Sequence, residues 1–407
     1  MLAALIPLFD ENMTVCAYSL FAQKENLLQE PRYVISAQHD GAYTIRGLEV
    51  IESMGMHTIS PTAKVFVPIS NVSIFVDIEN QCSAEHERIV LFIDNSVKPT
   101  DMYVKRISEL KGMGYQFAMG RLGVDEYEAY RNIVSLMDYI VLNSQAMDVS
   151  KAKIYFKKVY PKLSIIVGNI PSQDRFEELR INGYELYEGA FYRVPVTKGK
   201  SEIAPLKLNY LELINIVNGP NFDLSDAADV IGRDTALAIS LLDIVNRLSR
   251  NSEIKSLKHA TAMLGQKELK RWILTVVTKE LCVDKPNEIT RLSLIRAKFA
   301  ENLADAFGLQ AEESDLFFMG LFSVLDIILD VPMSQAIEMI TVPNNIKSAY
   351  IDGSGELACV MRFMLDYEKA DWLEVSKVQV LKGLDMDKVY EAYCQAYSWY
   401  RDMFFAR

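Results

Sequence analysis

The spacing of apolar and polar positions changes near residue 200. Before it, short apolar runs recur at 64–69, 89–93, 115–119, 139–142, 163–167 and 185–187. They are rich in Val, Ile, Phe and Tyr and too short for helices, so they predict buried strands. Segments 15–22 and 43–46 also read as strands. Between the runs, 103–113, 125–136, 147–159 and 172–181 predict helices. Gly114 sits at a helix stop, Ser172 at an N-cap, and Gly183 just past a last turn. Strand and helix alternate about five times at short spacing, which implies parallel strands with right-handed crossovers. That count suits a closed barrel better than an open sheet.

After the polar stretch 197–205, the pattern becomes helical almost throughout. Leu211, Leu213, Ile214 and Ile216 form one apolar face, and Gly219-Pro220 ends it. Asp223 and Asp234 are placed to N-cap the next two helices, the second carrying Leu237, Leu241, Leu242 and Val245 at helical spacing. Further amphipathic segments run over 267–281, 290–306, 311–329, 333–340, 355–366 and 386–404. The expected organisation is an α/β domain at 1–196, a linker at 197–205 and an all-α domain at 206–407.

Charge and composition narrow the chemistry. A net charge of −11 over 407 residues argues against broad binding of nucleic-acid backbones. The cysteines Cys16, Cys82, Cys282, Cys359 and Cys394 show no CxxC spacing, which points to reduced thiols in a cytoplasmic protein. The start, 1–9, lacks a basic leader-like region, and no apolar run reaches membrane-spanning length, so no membrane partner is expected. Neither GxGxxG after a strand, GxxxxGK[ST] nor GxSxG occurs. Aromatic residues crowd the end of the chain, at Phe363, Tyr367, Trp372, Tyr390, Tyr393, Tyr397, Trp399 and Tyr400. At helical spacing these predict core.

The stretch 114–122, Gly-Tyr-Gln-Phe-Ala-Met-Gly-Arg-Leu, brings a strand to the barrel face where ligands bind. It delivers Gly120, Arg121 and Leu122 instead of carboxylates. With Ala17-Tyr18-Ser19-Leu20, the 89–100 run, Asp138-Tyr139-Ile140 and the 183–192 segment Gly-Tyr-Glu-Leu-Tyr-Glu-Gly-Ala-Phe-Tyr, it resembles the EAL domain, the TIM-like barrel of cyclic di-GMP phosphodiesterases. Active members hold two divalent cations with carboxylates and an asparagine at strand ends, and the metals activate a water. Carried over by position, this resemblance puts the site's glutamates, aspartates and asparagine on Ser19, Pro68, Phe92, Gly120, Arg121, Asn143, Gly168 and Pro171, its lysine on Val141, and the late glutamine on Glu188. Hard cations need several anionic oxygens together, and these positions do not supply them. The expectation is a degenerate site with no catalytic or metal-binding residue and no cofactor. Arg121 and Asn143 remain as candidates for a metal-free phosphate contact.

The second half resembles the HDOD domain, a non-enzymatic relative of HD-type phosphohydrolases. The resemblance rests on Arg233-Asp234, Leu241-Leu242, Asn246, Ile254, Ser256, His259-Ala260, Leu264-Gly265, Arg296-Ala297 and the 320–326 run Gly-Leu-Phe-Ser-Val-Leu-Asp. A metal-dependent HD site needs several histidines and aspartates; this half holds only His259, and the one His-Asp pair is His39-Asp40 in the first half. Asn246 is expected to bond a turn and Gly265 to supply a helix end. The two resemblances imply an EAL–HDOD signalling protein that is no enzyme and acts through other signalling proteins. A symmetric dimer is compatible with the sequence, which does not choose its face. The alternatives are a metal-free receptor for cyclic di-GMP or another nucleotide and, third, a working phosphodiesterase with relocated ligands.

Overall fold

The computed structural model describes residues 1–23, 44–194, 205–219, 222–248 and 254–405. The chain divides into two compact units: Met1–Val194 with Lys298–Glu313 and Val360–Arg407, and Pro195–Ala297 with Ser314–Cys359. This differs from the expected division at 206, because the aromatic C-terminal helices group with the barrel.

In the first unit eight strands close into a barrel in chain order. They are β1 (Leu2–Phe9), β2 (Val15–Gln23), β3 (Lys64–Pro68), β4 (Ile89–Ile93), β5 (Gln116–Met119), β6 (Tyr139–Asn143), β7 (Ser164–Ile170) and β8 (Leu186–Gly189). β1 runs antiparallel to both neighbours, and the remaining pairs are parallel. The parallel crossovers are made by helices such as Asp101–Gly112, Val149–Val159 and Gln173–Ile181, as a right-handed barrel requires. Ser172 caps the last of these, its Oγ accepting from Arg175 N at 3.4 Å. Gly114 takes φ +99°, which a helix stop feeding directly into a strand needs.

Local readings differ in several places, among them these four. β1 was not predicted, because Leu-Ala-Ala-Leu-Ile-Pro-Leu-Phe is buried on both faces and shows no alternation. Of the expected strand 43–46, Tyr43 lies outside the described residues, and Arg46 opens the helix Arg46–Met54. The expected helix 125–136 is reduced to a 3-10 turn, Val124–Glu126, and one α-turn, Arg131–Val134. The expected helix 311–329 breaks at Val324, giving Glu313–Phe322 and Leu325–Leu329.

The second unit is helical. Asp223 and Asp234 act as N-caps: Asp223 Oδ1 accepts from Ser225 N at 2.6 Å, and Asp234 Oδ1 from Ala236 N and Leu237 N at 2.9 and 3.1 Å. Asn246 pins a chain segment through both ends of its amide, taking Ile254 N at 2.6 Å and giving to Ile254 O at 3.0 Å. Gly265, at φ +75°, breaks the helix Leu257–Leu281 as a helix end would. Gly320 lets two helices touch: a Cβ there would lie 2.3 Å from Arg296 O and 2.6 Å from Ala297 Cα.

Candidate functional site

Leu8, Ala17, Phe66, Val90, Ala118, Ile166 and Leu186 form one buried cluster, with Phe92, Tyr139 and Val141 packed against it. All eight strands contribute, so the cluster is the barrel interior. Side chains alternate across a strand. The inward positions one step toward the carboxyl ends are therefore Ser19, Pro68, Phe92, Gly120, Asn143, Gly168 and Glu188, with Val141 in the layer beneath Asn143. Eight of the ten positions carried over from the resemblance thus lie on the inner wall at the mouth.

That layer holds apolar groups, two glycines, the neutral polar side chains of Ser19 and Asn143, and one carboxylate. A Cβ on Gly120 would stand 2.7 Å from Phe92 Cζ and 3.6 Å from Val141 Cβ. The Phe92 ring therefore occupies the space a ligand at 120 would need. A Cβ on Gly168 would stand 2.9 Å from Glu188 Oε2 and 3.7 Å from Val141 Cγ1. Pro68 pairs across the sheet with Phe92, and Ser19 with Phe66.

Glu188 is the carboxylate in this inner layer. Asn169 N donates to its Oε2 at 3.2 Å. Burial pushes its carboxyl upward, opposed by the Asn169 bond and by the charge of Arg193. Asn169 adopts φ +58° at a register shift between β7 and β8, and its carbonyl accepts from Ser144 Oγ at 2.9 Å and Gln145 Nε2 at 3.2 Å.

The two candidates for a phosphate contact already have partners. Asn143 Oδ1 accepts from Gln145 N at 3.0 Å, closing the turn after β6. Arg121 is exposed, and its Nη1 pairs with Asp94 Oδ2 at 3.3 Å. Pro171 is exposed on the loop after β7, outside the inner layer. His259 is exposed on its helix, and His39-Asp40 lies outside the described residues.

A polar group at the amino ends of the strands escaped the sequence reading. Lys64 Nζ donates to Gln116 Oε1 at 2.8 Å and to Tyr139 Oη at 3.0 Å. These three hold the inward parity of otherwise apolar strands, a signal that would have found them. They lie opposite the mouth.

Among the described residues, no three of His, Cys, Asp or Glu stand close enough to hold a metal ion. No described helix is long and apolar enough to cross a membrane.

A family model described as the HDOD domain matches residues 203–340. The chain is 26% identical over 325 residues to the cyclic di-GMP phosphodiesterase CdgJ of Vibrio cholerae, covering 78% of this chain and 74% of that protein. It is 21% identical over 412 residues to the uncharacterized protein YuxH of Bacillus subtilis, covering 98% of each. Among solved structures, the EAL domain of Mycobacterium smegmatis DcpA aligns at 14% identity and a TM-score of 0.34, covering 46% of this chain and 89% of that one.

Proposed function

For a chain that is an EAL–HDOD protein of cyclic di-GMP-related bacterial signalling, we propose a role without catalysis: a cytoplasmic signal-transduction protein that works by binding other signalling proteins. The observation that carries this reading is the Phe92 ring lying where a residue at 120 would place its side chain. Metal-assisted hydrolysis of a phosphodiester needs cations to polarise the phosphoryl oxygen and to generate hydroxide. An aromatic ring in that layer offers neither charge nor oxygen. Among the described residues of that layer Glu188 is the one carboxylate; its Oε2 accepts from Asn169 N, and a hard cation requires further anionic oxygens beside it.

The rival reading is turnover, because the Vibrio cholerae relative is named a phosphodiesterase. The test is to incubate the protein with cyclic di-GMP and magnesium or manganese and to separate the products by chromatography. No linear dinucleotide is expected. Linear product at a rate above a Glu188→Gln, Asp94→Asn control would refute the proposal. Calorimetry with the metal-free protein tests the receptor reading: binding lost on Arg121→Ala would support it, and no heat at sub-millimolar nucleotide would remove it.

A further inference from the structure

β1 is paired along its whole length with β2, but it meets β8 only through Leu8↔Glu188 and Phe9↔Tyr187. The other edge of Leu2–Pro7 is thus open to the rest of the chain. An open edge carries unpaired N–H groups at every second residue. Here those positions are 3, 5 and 7. Ala3 N donates to Tyr367 Oη at 3.3 Å, and Leu5 N to Tyr393 Oη at 3.2 Å. The next position is Pro7, which has no N–H to satisfy. Both donors among these positions are accounted for, each by a residue more than 360 positions away.

The two tyrosines belong to the helices Glu356–Glu368 and Met386–Phe405. Phe299 joins them, 5.3 Å from the Tyr367 ring and 5.4 Å from that of Tyr393. Asn302 Nδ2 donates to Ala392 O at 3.0 Å, tying the 298–313 segment to the last helix. Arg193, just after β8, pairs with Glu368 at 2.5 Å, and both are mostly buried.

We propose that residues 298–313 and 360–405 are a strap that covers the open edge of β1 and belongs to the barrel domain, so that the helical unit, Pro195–Ala297 with Ser314–Cys359, is inserted within that one domain and the HDOD match at 203–340 runs across part of the strap. Through Arg193 the strap also reaches the end of β8, which carries Glu188. This holds whether or not the mouth turns over a nucleotide.

Native-state hydrogen exchange of the full chain, followed at rising denaturant, tests it. The strap helices should lose protection together with β3 to β7; loss at lower denaturant than those strands overturns the proposal. The double variant Tyr367→Phe, Tyr393→Phe keeps both rings and removes both acceptors. Exchange at Ala3 and Leu5 should then rise roughly three- to tenfold, the size expected for a lost net hydrogen bond. A rise at the seam alone or throughout the barrel supports the assignment, and unchanged exchange at both amides overturns it.

Discussion

Phe92 leans across Gly120 from the neighbouring strand, its Cζ 2.7 Å from where a β-carbon on residue 120 would sit. The two residues are complementary: the ring needs the missing side chain, and the missing side chain leaves space for the ring. Gly120→Asp should destabilise the protein by about 1–3 kcal/mol, as overpacking does. Phe92→Ala removes the obstruction at the expense of a cavity. The double variant should be less damaged than the sum of the singles, because residues in contact couple by about 0.5–3 kcal/mol. Denaturant melts of the four proteins give the coupling. Additive effects would mean that the ring can move aside.

The barrel was legible where strands alternate with helices at short spacing, as at 89–93, 116–119 and 139–143. It was illegible where burial on both faces erased the alternation, as in β1, or where a long-range contact shapes an element. The seam between β1 and the C-terminal tyrosines is such a contact; Tyr367 and Tyr393 read only as core in the sequence. Which positions line the mouth was legible, because strand parity fixes the residues that face inward. How it is filled was not, since the tilt of Phe92 toward Gly120 depends on the register between β4 and β5.

Glu188 gives the mouth a pH signature. Its carboxyl is raised in the folded protein, chiefly by burial. The native state therefore holds the proton more tightly than the unfolded chain does. Stability from this group is present below the ordinary carboxylate range and is lost as pH rises through the raised value. Glu188→Gln keeps a carbonyl oxygen for Asn169 N but cannot ionise. Relative to wild type, it should gain stability as pH is raised from about 4 toward neutrality, with the ordinary carboxylate near 4.3 as reference. Thermal melts across that range check the sign; a difference independent of pH would show that the carboxyl is not raised.

In the helical unit, Asn246 satisfies the N–H and the C=O of one residue, Ile254, which is itself buried. Asn246→Ala strands both groups and should cost about 1–3 kcal/mol, the penalty for unpaired buried polar groups. Asn246→Asp keeps the acceptor for Ile254 N and loses only the donor, so it should be the milder change. Unfolding midpoints of the two variants decide the order.

Gly320 is limited by backbone atoms, which cannot rotate away. Gly320→Ala would bring a methyl to 2.3 Å from Arg296 O, so the two helices must separate. A cost at or above the upper end of the usual overpacking range, about 3 kcal/mol, is expected. A helix propensity gain for alanine, about 1 kcal/mol, is too small to offset it. A melt unchanged from wild type would show that the helices part without strain.

Arg121 holds φ +57° at the end of β5, a conformation that glycine adopts without penalty and other residues adopt at a cost of about 1–2 kcal/mol. Its pairing with Asp94 offsets little of that, because the arginine is 76% exposed and exposed pairs contribute about 0–1 kcal/mol. Arg121→Gly should therefore be at least as stable as wild type, and more stable than Arg121→Ala, which loses the pair and keeps the backbone strain. Strain kept at a ligand-facing loop is a reason to look for a contact that uses the guanidinium. If Arg121→Gly and Arg121→Ala weaken capture of the same partner protein equally while differing in melting temperature, the side chain is part of the binding surface. Undiminished capture by both variants would leave the arginine as a rim residue paired with Asp94.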